Sequence, residues 1–256
     1  VSHFGVTGER TLLEIAIKSA NLLAREFGNA KPAGTPGHEE IELALIQLFE
    51  VTQNQSYIDL AEHFIEQRGR VKPFITHILE NNSSFETRGK FVEEKLAEYQ
   101  AAHPDHTITF QLPGDNVSPK PPLGFMRWFL NTATGKYFQQ HKPVRKQTVP
   151  VGHAVRFTYL ETALAMLEQT NQLSHTPASY LPTLEKAWDH MVARRMYVTG
   201  GIGSLPNIEG FGRDFELDPV YSYSETCAAL GNIFWNWEMT KITGKAKYAD
   251  LTEWQL

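Results

Sequence analysis

Apolar residues along this chain return every three or four positions over long stretches and alternate with polar ones almost nowhere. This is the pattern of helices that bury one side. It predicts helices over about Thr11–Phe27, His38–Val51, Tyr57–Arg68, Phe91–Ala101, His153–Gln169, Tyr180–Arg195, Ser224–Ile242 and from Ala246 to the end. The expected fold is therefore all-α. Between Asn81 and Lys146 the periodicity fades, and Pro104, Pro113, Pro119, Pro121, Pro122 and Pro143 crowd together. That interval reads as a Pro-rich excursion between helices, with short strands near Ile108–Leu112.

A weak internal repeat joins the helices. Thr52-Gln53-Asn54-Gln55-Ser56-Tyr57 and Thr243-Gly244-Lys245-Ala246-Lys247-Tyr248 are the same helix–turn–helix connector. Thr7-Gly8-Glu9-Arg10-Thr11-Leu12 and, more loosely, Thr170-Asn171 with Tyr180 resemble it. The helices entering such connectors begin Gly37-His38-Glu39-Glu40, Gly152-His153-Ala154-Val155-Arg156 and Ser224-Glu225-Thr226-Cys227. Chain polarity puts His38, His153, Glu225 and Cys227 at equivalent ends of three parallel helices. If helix pairs form a ring with these helices inside, those ends meet at one mouth, which is the geometry of an α/α toroid. The competing arrangement is an α-solenoid, in which the same connectors recur and the polar starts are only caps.

Composition narrows the classes. The 256 residues, 41% hydrophobic and 21% charged, suffice for one large domain or two small ones. A net charge of −5 offers no general attraction to nucleic acid or to an anionic membrane. The longest apolar run is too short to span a bilayer. A single cysteine excludes an intrachain disulfide, and the first residues, Val1-Ser2-His3-Phe4-Gly5, lack the charged and apolar regions of a leader. The cytoplasm is the default compartment; a secreted or periplasmic location would follow if a leader had been removed. Sequons at Asn81, Asn82 and Asn116 matter only in a secreted protein.

The richest stretch chemically is Thr199-Gly200-Gly201-Ile202-Gly203-Ser204, then Glu209, then Glu225 and Cys227. A thiol acts as nucleophile or metal ligand only when ionised, and a helix start lowers its pKa. Ser224 reads as the N-cap, with Glu225 and Cys227 in the first turn. The plainer reading of a lone Cys on an apolar helix face is a small buried hydrophobe. His103, His106 and His141 read as solvent or sugar contacts rather than a metal group. Trp235, Trp237 and Trp254 have helical spacing and read as core, whereas Trp128 and Phe125 suit sugar stacking.

Five elements in order carry a more specific signal: GHEEIELALIQLFEVTQNQSYIDLAEHFIEQRG at 37–69, His141-Lys142-Pro143-Val144-Arg145, VGHAVRFTYLETALA at 151–165, YVTGGIGS at 197–204 and YSETCAA at 223–229. Together they resemble glycoside hydrolase family 127, typified by β-L-arabinofuranosidases. The resemblance implies an (α/α)6 catalytic barrel followed by β-sandwich domains, release of terminal arabinofuranose with retention, and a cysteine nucleophile near a zinc ion. It makes Glu209 the acid/base, Glu225 and Cys227 zinc ligands, and His38, His153 and His141 contacts to a carbohydrate substrate. The family's nucleophile lies in a Cys-Cys pair well downstream, so it is expected beyond Leu256, as are the rest of the barrel and the β-sandwich domains. Residues 1–256 are accordingly expected to be part of one barrel domain. Zinc is expected in the full-length parent, and weakly or not at all in this chain, which is expected to be inactive alone. A homo-oligomer is left open. Two other functions compete: an α/α-toroid sugar epimerase or unsaturated-uronide hydrolase, and a non-catalytic helical carbohydrate-binding module.

Overall fold

In the computed structural model the described residues are 1–28, 35–70, 94, 97–104, 124–170, 179–220 and 222–256, with the backbone alone at 124 and 125. The helices are α1 (Ser2–Thr7), α2 (Thr11–Phe27), α3 (Glu40–Thr52), α4 (Gln55–Gln67), α5 (Gly124–Ala133), α6 (Ala154–Gln169), α7 (Leu181–Arg194), α8 (Thr226–Thr243) and α9 (Ala246–Gln255). Single 3-10 turns lie at Lys136–Phe138 and Val144–Lys146. Among the described residues there are isolated β-bridges but no strand, and no helix is long and apolar enough to cross a membrane. Seven helices follow the sequence periodicity to within two residues at each end. Helix is also present at 97–102, while the expected start at Phe91, the strands near Ile108–Leu112, the three sequons and His106 lie outside the described residues. The far end of the Pro-rich interval is not a mere excursion: α5 and both 3-10 turns fold there.

The recurring connector has one repeated stereochemistry. The threonine hydroxyl donates to the carbonyl four residues back: Thr7 to His3, Thr52 to Leu48 and Thr243 to Met239, at 2.6–2.7 Å. The same oxygen then accepts the amide two residues on, from Glu9, Asn54 and Lys245, at 3.1–3.3 Å. The residue between adopts left-handed backbone, φ 73° at Gly8, 56° at Gln53 and 66° at Gly244, which closes one helix and redirects the chain into the next. Asn54 completes its connector by accepting the Ser56 amide at the start of α4.

Packing explains which helices lie inside. α6 lies between α3 and α8, while α4 pairs with α3 and α9 with α8. α6 has no solvent face over most of its length: Ala154, Val155, Phe157, Thr158 and every residue from Leu160 to Leu167 are buried. Residues such as Leu160 and Leu164 each contribute roughly 1.5–3 kcal/mol by leaving water. The α6–α8 approach is close because Gly231 faces Thr158; a Cβ on Gly231 would lie 2.3 Å from Thr158 Oγ1. Trp235 fills the seam against Phe157, ring centroids 5.7 Å apart, and is fully buried. Trp237 and Trp254 depart from the expected core role and are 59% and 65% exposed. They lie on the outward faces of α8 and α9, and the Trp254 indole donates to the Val198 carbonyl at 3.0 Å.

Two glycine substitutions separate backbone from packing costs. Gly244→Ala places its Cβ in open space, so it should cost about 1–2 kcal/mol from left-handed backbone alone. Gly231→Ala must also push α8 off Thr158 and should cost about 1–3 kcal/mol. Equilibrium denaturation checks both, and a neutral Gly231→Ala would show that the helix seam is not closely packed.

Candidate active site

The start of α6 is the hub. Gly152, at φ 71°, turns the chain into His153, and its carbonyl accepts the Phe211 amide at 2.9 Å. The Ala154 amide, unpaired within the helix, donates to the Glu209 carbonyl at 3.0 Å. Leu205 and Gly210 exchange two backbone bonds, closing the 205–210 loop. Gly210 tolerates no side chain, since a Cβ would sit 2.0 Å from the Gly152 carbonyl oxygen. Glu209 itself holds left-handed backbone, φ 49°, a conformation that costs a non-glycine residue energy and turns its carboxylate toward α6. Its Oε2 lies 3.1 Å from His153 Nε2, and the Tyr223 hydroxyl also bonds it.

The loop is anchored further along by Asp214. Its carboxylate accepts from His190 at 2.8 Å and from Arg195 Nε at 2.9 Å, and Arg195 reaches on to the Pro150 carbonyl. Hydrogen bonds from His190 and Arg195 hold the Asp214 carboxyl down at about 2.

The glycine-rich turn does for α8 what Gly152 does for α6. Gly200 and Gly203 have φ 84° and 81°, and the Gly203 carbonyl accepts the Ser224 amide at 3.0 Å. The N-cap is Glu225, not the expected Ser224, which sits at φ 38° before the helix begins. Cys227 is exposed rather than a buried hydrophobe. Its thiol is pushed up, not down, because it hydrogen-bonds to Glu225 and lies in that carboxylate's field. An adjacent anion thus outweighs the helix start.

His38, on the turn before α3, meets the Tyr159 ring edge-on at 5.7 Å. Behind it lies a buried ion group: Arg68 donates to Glu39 at 2.9 Å and to Glu42 at 2.5 Å, all three side chains wholly enclosed. Burial, only partly opposed by Arg68, raises Glu39 to about 8. Arg68 also reaches the Phe138 and Pro36 carbonyls, tying the His38 turn to the end of the Pro-rich interval.

His38, His153, Glu209, Glu225 and Cys227 come together at one mouth. Glu209 and Glu225 both act on the Tyr137 and Tyr223 phenols, Glu225 and Cys227 act on Tyr159, and His38 acts on His153. His153 is buried, and its pKa is lowered to about 4 by that burial and by Arg156, against the pull of Glu209. His38 is lowered by partial enclosure of its ring and then by Arg156. His141 stands apart. It lies in a turn braced by Gln147, which donates to the Gln139 and Lys142 carbonyls at 2.8 Å. Burial lowers His141 to about 4, and among the described residues no hydrogen bond or ion pair joins it to the mouth. Trp128 is exposed on α5, His103 is exposed and stacked on Tyr99, and Phe125 has no described side chain.

Sequence reasoning did not single out Tyr137, Tyr159, Tyr223 or Arg156. Arg156, Tyr159 and Tyr223 did lie within the quoted elements at 151–165 and 223–229, whereas Tyr137 lies outside all of them. Among the described residues no three His, Cys, Asp or Glu side chains form a metal-binding group.

A parallel set of helix starts around a carboxylate held by histidine and tyrosine is the plan of an α/α-toroid carbohydrate enzyme domain. The whole chain, residues 1–256, matches the beta-L-arabinofuranosidase, GH127 catalytic domain, and belongs to that family. It is 32% identical over 258 residues to a non-reducing end beta-L-arabinofuranosidase of Bifidobacterium longum subsp. longum, covering 100% of this chain and 33% of that relative. A solved GH127 beta-L-arabinofuranosidase from Geobacillus stearothermophilus T6 superposes with a TM-score of 0.72 at 33% identity, covering 98% of this chain and 33% of that one. A solved GH127 beta-arabinofuranosidase gives 0.70 at 30% identity, covering 99% and 30%. The chain thus spans about a third of the length of these relatives.

The Asp214 anchor gives a pH signature. Because its folded pKa is depressed, its stabilisation is present above the ordinary carboxylate range, near 4, and is lost as pH falls toward about 2. The stability difference between wild type and Asp214→Asn should therefore shrink as pH falls through this window. Denaturation across it checks this; a gap constant from pH 5 to 2 would deny Asp214 the anchoring role.

Proposed function

We propose that the protein carrying this chain is a retaining glycoside hydrolase that releases terminal arabinofuranose-type sugars, with Glu209 as its acid/base. The observation that carries this reading is the placement of Glu209: strained backbone aims its carboxylate at the mouth, where His153 and Tyr223 hold it. The relatives are beta-L-arabinofuranosidases by name. In retaining hydrolysis one carboxyl first protonates the leaving oxygen and then activates water. A carboxylate 46% exposed on a loop, yet fixed by two side chains, meets both demands. His38 and the aromatic edges of Tyr137 and Tyr159 provide hydrogen bonds and apolar surface for a neutral sugar. His141 is assigned to substrate through the family pattern alone.

Glu225 and Cys227 suit half of a zinc site. Glu225 Oε2 is buried with no hydrogen-bond partner, and the Cys227 thiol faces that carboxylate, so a cation between them would satisfy both once the thiol loses its proton. Two donors fill half of a tetrahedral set, and the other ligands, like the nucleophilic thiolate, are assigned to the length of the relatives that this chain does not span. When bound, zinc would keep thiols ionised and fixed in place.

Two measurements test this reading. In the full-length protein, Glu209→Gln should preserve fold and lose ~10²–10⁴-fold of turnover on a substrate with a poor leaving group; near-normal turnover would remove Glu209 as acid/base. The 256-residue chain alone should bind zinc weakly and not hydrolyse aryl arabinofuranosides. Stoichiometric zinc with turnover in this short form, by metal analysis and assay beside the full-length protein, would misplace the nucleophile in our account.

A further inference from the structure

One buried side chain joins two walls of the mouth. Arg68, which caps the end of α4, is fully enclosed together with Glu39 and Glu42. Each of its terminal nitrogens gives one bond to a carboxylate and one to a backbone carbonyl: Nη1 to Glu39 at 2.9 Å and Phe138 at 3.3 Å, Nη2 to Glu42 at 2.5 Å and Pro36 at 3.5 Å. Pro36 and Glu39 bracket His38, and Phe138 follows Tyr137. The next residue tightens the joint. The Gly69 amide donates to Gln140 Oε1 at 2.8 Å, Gln140 in turn donates to the Thr35 hydroxyl, and a Cβ on Gly69 would lie 2.0 Å from the Lys142 carbonyl oxygen.

Stability does not account for this group. Among the described residues, Glu39 Oε2, Glu42 Oε2 and Arg68 Nε are buried with no hydrogen-bond partner, and a buried ion group left partly unsatisfied is commonly no more stable than apolar side chains of the same volume. A guanidinium supplies fixed geometry instead, because its planar fork holds several acceptors in place relative to one another. The His38 turn is where that geometry acts. Glu39 is buried against Arg68, whereas His38 beside it is exposed and meets the Tyr159 ring edge-on. Adjacent Cα atoms are only about 3.8 Å apart, so holding Glu39 and Pro36 restricts His38.

We propose that Arg68 is a positioning residue for His38: by holding Glu39 and Pro36 on one wall and Phe138 on the other, it sets where the His38 ring stands in the mouth. This rests on the sugar-contact role proposed for His38. The Phe138 wall is itself tied to the candidate acid/base, since the Tyr137 ring meets His153 edge-on at 5.5 Å and His153 contacts Glu209 at 3.1 Å. Arg68 thereby fixes the spacing between a sugar contact and the group that acts on the leaving oxygen.

Arg68→Met alone strands two buried carboxylates, so the test replaces the whole group in the full-length protein. Arg68→Met with Glu39→Leu and Glu42→Leu is an apolar set of similar volume and should keep the melting temperature near that of the wild type. On an aryl arabinofuranoside kcat/KM should nevertheless fall on the order of 10²-fold, the scale of an ångström-sized misplacement. In a His38→Ala background the same three substitutions should cost only a few-fold, because their effect runs through His38. A second readout needs no catalysis. In ¹³C-histidine spectra, His38→Ala identifies the His38 signal and Tyr159→Leu shows how far the Tyr159 ring displaces it. In the triple variant the signal should move to where Tyr159→Leu leaves it. Loss of folding or wild-type kcat/KM in the triple variant, an undiminished loss in the His38→Ala background, or an unmoved His38 signal would overturn the proposal. If His38→Ala alone retains full kcat/KM, the sugar-contact reading fails by itself, and the spectra still decide whether Arg68 sets the ring.

Discussion

The burial of α6 on every side is the constraint from which the rest of the architecture follows. A helix with residues 154–167 almost wholly enclosed needs neighbours on opposite flanks, and α3 and α8 supply them. The Gly231–Thr158 approach sets how near α8 lies, and the threonine connectors after α3 and α8 turn the chain back into α4 and α9. Parallel inner helices bring their starts to one end. The mouth is thus a consequence of core packing, and its residues sit on the first turns, where unpaired amides and polar side chains are ordinarily found.

The functional groups are then placed by backbone bonds more than by side-chain packing. The 205–210 loop is sewn to the start of α6 through Gly152, Ala154 and Phe211, and the glycine-rich turn is joined to Ser224. Positive φ at Glu209 and Ser224 marks where this joining strains the chain. Such strain persists only where the surroundings impose it, here the Asp214 anchor, while the enclosed Arg68 group anchors the His38 turn instead. The two anchors differ electrostatically. Asp214 stays ionised through direct bonds to cations, whereas burial drives Glu39 toward its neutral form despite Arg68.

The two carboxylates near Cys227 have different environments. Glu225 has a buried oxygen left unpartnered beside a thiol, an arrangement a cation would complete. Glu209 is held by the His153 and Tyr223 side chains and reaches solvent. That separation is the basis on which we propose one carboxylate for metal and the other for acid/base work.

Helical spacing alone determined the all-α class and the positions of α2, α3, α4, α6, α7, α8 and α9, because amphipathic periodicity is a local property. The connectors were equally legible, since threonine followed by a left-handed residue is a short-range device. The quoted motifs also pointed to His38, His153, Glu209, Glu225 and Cys227 as one group. Tertiary structure decided the rest. Ser224 proved to precede the cap because the glycine-rich turn strains it, and the Cys227 thiol is held protonated because Glu225 lies against it. Trp237 and Trp254 face outward although their spacing matches that of Trp235, since spacing does not say which helix face meets a neighbour. The Pro-rich interval ends in a brace in which Gln139 donates to the Val151 carbonyl, Gln147 donates to the Gln139 and Lys142 carbonyls, and Gln140 donates to the Thr35 hydroxyl and accepts the Gly69 amide, which leaves no hydrophobic period to read. Nor could the sequence show that the Arg156 guanidinium lies over the Tyr137 and Phe138 rings, because that follows from their arrangement in space.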